Sequence, residues 1–166
     1  MALAGSGILL AAGLLFTYAD YHTLMNGDSH WYKGIFKQLG SIARIGFFAA
    51  AAVYPVFLLL KWKKLKKAEW GSFKPGRVLQ VPAKYVRKWH TPIALVSAAL
   101  VLLHGTLAIL RGFTLDFTYM TGMLGVILLG FLAIMGFKRF KRNDRKLHFK
   151  LAIVFILIFM IHATFA

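Results

Sequence analysis

The sequence predicts an all-α integral membrane protein, a helical bundle of five transmembrane helices forming a single domain over residues 1–166. Three observations carry this reading. Five apolar runs, at about 3–19, 41–60, 89–110, 117–137 and 147–166, are each close to the ~20 residues that cross a bilayer as a helix. The chain is 59% apolar with a mean hydropathy of +0.66, well above soluble proteins. Its five acids, Asp20, Asp28, Glu69, Asp116 and Asp144, all fall at run ends or between runs.

The first run, Leu3 to Tyr18, is short and has no basic leader. Thr17-Tyr18-Ala19 offers only a weak cleavage signal, so a retained helix is expected. Asp20 to Arg44 is polar and aromatic. Gly27 marks a turn, and Trp31 to Leu39 is expected along the membrane surface with its aromatics at headgroup level. His22 and His30 read as solvated loop residues. The second run contains Pro55, which predicts a kink. Arg44 at its outer end either snorkels to the surface or pairs with an acidic cofactor group. Residues 61–88 are strongly basic, and Pro75-Gly76 and Pro82 argue against one long helix there. The third run places Pro92 in its first turn, where proline is tolerated. The fourth has no histidine, and Gly122, Gly125, Gly130 and Gly136 suit a close-packed wall of the bundle without chemistry of its own. The basic loop 138–146 leads into the fifth run.

Twenty-one Lys and Arg against five acids give a net charge of +16. In a soluble chain this would suggest nucleic acid. Here the cations cluster at the ends of apolar runs, so no nucleic-acid partner is expected and the positive-inside rule accounts for them. The stretches 61–88 and 138–150 hold ten and seven, and the other side holds four, Lys33, Lys37, Arg44 and Arg111. That asymmetry predicts a multi-pass protein of the cell membrane with a cytoplasmic N-terminus and an outside C-terminus. The basic face also suits anionic membrane lipid or an acidic redox partner. With no cysteine, disulfides, iron–sulfur clusters and thiolate haem ligation are excluded.

One pattern occurs twice. Residues 87–106 and 145–164 both read R-K-x-H, thirteen residues, H-[GA]-T. His90 and His104 lie on one apolar segment, His148 and His162 on the other. Fourteen residues is just under four helical turns, so each pair projects from nearly one face, ~21 Å apart along the axis. Ionisable groups inside a membrane point to function, and imidazole suits both axial positions of haem iron. The expected arrangement is two haem b groups, an inner one on His90/His148 and an outer one on His104/His162. Zinc or copper on two histidines would lack its usual further ligands. Ala94, Ser97, Ala98, Gly105 and Ala108 on the first helix leave room for a flat macrocycle. Phe155 and Phe159 on the second either stack on its edge or face lipid. Arg87, Lys88, Arg145 and Lys146 adjoin the inner pair. They either bind haem propionates or anchor the interface. No residue is assigned a catalytic role.

The paired histidines with their Arg-Lys leaders resemble the ferric reductase-like transmembrane domain superfamily, which includes metalloreductases, the membrane part of NADPH oxidases and the haem-binding membrane subunit of a bacterial methionine sulfoxide reductase system. Similar pairs occur in other di-haem cytochromes b, including the b561 type. The resemblance rests on the third to fifth runs and implies electron transfer across the membrane, as the membrane subunit of an oxidoreductase. The chain departs from the superfamily in having five runs rather than six and no Gly-rich phosphate loop, so a partner protein or a quinol is the expected donor. A self-contained reductase of ferric iron or another small acceptor is the alternative, and a haem-free scaffold or small transporter the second.

Overall fold

A computed structural model describes residues 2–26, 29–62, 78–138 and 145–166. Seven helices occur among the described residues: α1 (Ala2–Ala19), α2 (Tyr21–Asn26), α3 (Ser29–Ala51), α4 (Val53–Lys61), α5 (Gln80–Arg111), α6 (Phe117–Lys138) and α7 (Arg145–Phe165). Among the described residues, five segments are long and apolar enough to cross a membrane: Ala2–Ala19, Tyr32–Lys61, Gln80–Arg111, Phe117–Phe137 and Lys146–Phe165. The all-α class and the number of spans therefore match the sequence reading. The Gly27 turn, Pro75-Gly76, the cations at 63–77 and those at 139–144 lie outside the described residues.

The chain falls into two compact units, Met1–Leu103 and His104–Ala166. In the first, α1 and α2 run almost without interruption, with the Leu24 amide donating to the Asp20 carbonyl at 2.8 Å. Gly13 of α1 meets Leu103 of α5 so closely that an added Cβ would sit 2.5 Å from Leu103 Cδ1. On α3, Ala43, Phe47 and Ala50 are buried at the i, i+4, i+7 spacing of one helical face. Gly46 on that same side faces Ser97 of α5, and an added Cβ would fall on the Ser97 hydroxyl. Small residues at such a crossing bring two backbones together where apolar burial gives no drive between lipid-facing helices. Ile42, Ile45 and Phe48 point away from it and are exposed, as lipid-facing side chains would be.

Two boundaries differ from the sequence reading. Residues 31–39 are not a separate surface segment but belong to α3. Tyr32 is buried and stacks on Phe36, with ring centroids 6.1 Å apart, so packing extends the helix through a polar composition. The third span starts at Gln80, which puts Pro82 in its first turn and Pro92 in its interior rather than in the first turn. Ala83, buried despite its basic neighbours, ties this extension down. At 32 residues, α5 is about 48 Å long and outruns the ~30 Å hydrocarbon layer. Near Pro55 the second span is interrupted at Ala52, and α4 starts at Val53 with Pro55 in its first turn. A proline there cannot donate to the Ala51 carbonyl.

In the second unit, α6 and α7 pack along their length. The Thr118 hydroxyl donates to the Phe165 carbonyl at 3.2 Å, and Phe117 meets Phe165 edge-on. Asp116 caps α6, accepting from the Tyr119 amide at 2.8 Å and the Thr114 hydroxyl at 2.9 Å, the usual geometry of an N-cap. These donors hold the Asp116 carboxyl below the ordinary carboxylate range, the Tyr119 amide first. Gly112 has φ +143°, a turn that favours glycine. Tyr119 shares its hydroxyl proton between the Ala108 and Gly112 carbonyls, at 2.9 and 2.7 Å, closing the end of α5.

Candidate functional site

The clearest arrangement joins His104 on α5 and His162 on α7. Their ring centroids lie 6.5 Å apart and their planes are nearly perpendicular, at 84°. His162 is held from α6. Its Nδ1 lies 3.0 Å from the Thr118 carbonyl and 3.4 Å from the Thr121 hydroxyl. A carbonyl only accepts, so Nδ1 carries the proton and the lone pair is on Nε2. This is the pattern in which a second partner fixes the tautomer of a metal-binding histidine. Gly122 gives the ring its seat: an added Cβ would stand 3.0 Å from Cε1, 3.2 Å from Nδ1 and 3.6 Å from Nε2 of His162.

His90, in the first unit, shows the same feature with a different carbonyl. Its Nδ1 donates to the Ala50 carbonyl at 2.9 Å. The break at Ala52 lies just past Ala50, and Pro92, two residues after His90, leaves the Lys88 carbonyl without its intrahelical donor.

His148 lies in the second unit on α7, half-buried, with its Nδ1 shielded from solvent. Arg87 and Lys88 are exposed on α5 just before His90, and Lys146 is exposed on α7. Arg145 is the first residue of α7; its side chain lies outside the described residues. Arg44 is exposed on α3. His22 and His30 are exposed and helical, on α2 and α3, rather than in a loop. Among the described residues, no group of three or more His, Asp or Glu side chains is arranged to hold a metal ion.

The small-residue face of α5 is only partly open. Ser97, at 2% exposure, is taken up by the crossing with Gly46, which corrects its assignment to a macrocycle-sized space. Beside His104, an added Cβ at Gly105 would meet nothing within 4 Å. Phe155 is buried and stacks on Phe159, with centroids 5.7 Å apart, so these rings pack on each other. Sequence reasoning missed Ala50, Thr118, Thr121 and Gly122. Two of these act through backbone carbonyls, which no residue pattern announces; Gly122 was visible as a small residue but not as the seat of a histidine. Compared with family models, curated proteins and solved structures, the chain matches none.

Proposed function

We propose that this chain is a di-haem cytochrome b membrane subunit that carries electrons between the two membrane surfaces, with both its basic stretches on the cytoplasmic side. The observation that carries the reading is the His104–His162 pair. Metal–imidazole bonds are ~2.0–2.1 Å and a ring centre lies about 1.1 Å behind its nitrogen, so one iron between two imidazoles separates the centroids by about 6.3 Å. The pair stands at 6.5 Å. A bare edge-to-face contact also falls near this distance. Such a contact alone leaves unexplained the repeat at fourteen-residue spacing and the carbonyl-bound Nδ1 of both His90 and His162.

The residues present fit haem iron: four imidazoles, those of His90 and His162 each oriented by a backbone carbonyl at Nδ1, on apolar helices without a competing thiolate or carboxylate. Haem bound here would supply a one-electron iron couple. The chain's own part is to ligate, to fix ring planes and tautomers, and to set the polarity around the iron. The inner site, on His90 and His148, rests on the repeated motif. Arg87, Lys88, Arg145 and Lys146 next to it are suited to propionates. The electron donor is a partner protein or a quinol.

The test is haem per chain, measured by pyridine haemochrome on protein expressed with ample haem supply and purified in detergent. Two b-haems per chain support the reading. A colourless protein rejects it in favour of a haem-free scaffold.

A further inference from the structure

The fourth span, free of titratable side chains apart from Tyr119 and the terminal Lys138, reads in sequence as a passive wall. We infer that the first two turns of α6 are part of the outer site: Thr118, Thr121 and Gly122 seat and orient His162, and thereby set both occupancy and potential of the outer haem. This rests on reading His104 and His162 as haem ligands.

Three contacts converge on one ring. The Thr118 carbonyl takes the Nδ1 proton, which leaves Nε2 as the ring's ligating nitrogen. The Thr121 hydroxyl donates to the Phe117 and Thr118 carbonyls, at 2.9 and 3.0 Å. It therefore shares the carbonyl that His162 uses, and its oxygen stands 3.4 Å from the same Nδ1. Hydrogen bonding at Nδ1 controls how strongly an imidazole donates through Nε2, and so how well it stabilises ferric iron. Gly122 supplies the space. The ring is rigid, so a methyl within 3.0–3.6 Å of three of its atoms moves the whole ring and with it the Nε2 that would hold the iron. Gly122 differs in this from its neighbours: at Gly125, Gly130 and Gly136 an added Cβ meets nothing within 4 Å.

The experiment compares wild type with Gly122→Ala, Gly125→Ala, Gly130→Ala, Thr121→Val and Thr121→Ser. Haem content, ferric electron paramagnetic resonance and redox titration are read on each. The inference predicts that Gly122→Ala loses one of two haems, or keeps it with an altered low-spin signal, while Gly125→Ala and Gly130→Ala match wild type. Thr121→Val shifts one midpoint potential, and Thr121→Ser restores it. Wild-type content, signal and potentials in Gly122→Ala overturn the inference and leave the haem reading standing. A haem-free wild type overturns both. Should Gly122→Ala lose both haems through misfolding, Thr121→Val decides: a shifted potential upholds the role of α6, and an unshifted one overturns it.

Discussion

Gly46→Ala is expected to damage the first unit by an amount that follows from the crossing of α3 and α5. The new methyl falls on the Ser97 hydroxyl and lies 3.3 Å from Ser97 Cβ. Rotating the hydroxyl relieves the first contact but not the second, because Cβ is fixed to the backbone. Ordinary carbon contacts are ~3.5–4.0 Å, so the helices must part by roughly 0.2–0.7 Å. Ala50, one turn along α3, moves with Gly46, which stretches its 2.9 Å contact with His90 Nδ1 to about 3.1–3.6 Å, from the long end of the N–H···O range to beyond it. Overpacking costs ~1–3 kcal/mol, and the weakened hydrogen bond about 0.5–1.5 kcal/mol of that. Denaturant unfolding in mixed micelles measures the total, and the spectrum of the haem proposed at His90 reports the change at that histidine. Ser97→Gly removes both obstacles and should restore Gly46→Ala towards the stability of Ser97→Gly alone. A Gly46→Ala protein with wild-type stability and spectrum, or a double variant no better than Gly46→Ala, would refute the crossing.

Other outcomes follow from the same geometry. His104→Ala and His90→Ala should each retain one haem of two by pyridine haemochrome, with different components lost from the reduced-minus-oxidised spectrum. Gly13→Ala should be milder than Gly46→Ala, since the obstacle is the far end of the Leu103 side chain; parallel melts in detergent give the order. Asp116, with its carboxyl held low, stabilises the start of α6 at pH above the ordinary carboxylate range. That contribution is lost as pH falls through its lowered value. Hydrogen exchange near Tyr119 should rise in that window, and Asp116→Asn should remove this pH dependence.

Much of the fold was legible because each span is an apolar run free of acids, a signal that a bilayer makes nearly unambiguous. The ends were less legible. Residues 31–40 and 80–88 carry lysines, arginines and glycine or proline, and local composition argues for loops. Tyr32 and Ala83 are nevertheless buried, so packing rather than local composition decides both stretches. Spacing alone singled out the four histidines. What orients two of them was hidden, since the Ala50 and Thr118 carbonyls belong to every residue type equally. Ser97 shows the opposite error: a small residue on the histidine face reads as space, yet it is filled by the one helix whose glycine can approach it.

The measurement closest to the central claim is ferric electron paramagnetic resonance of the purified protein, beside His104→Ala. The His104 and His162 rings stand at 84°, and two nearly perpendicular imidazoles on one iron would give a strongly anisotropic low-spin signal. The account predicts that signal in wild type and its absence in His104→Ala, with the second haem's signal retained. A wild-type protein with no low-spin bis-imidazole signal, or one unchanged in His104→Ala, would contradict it.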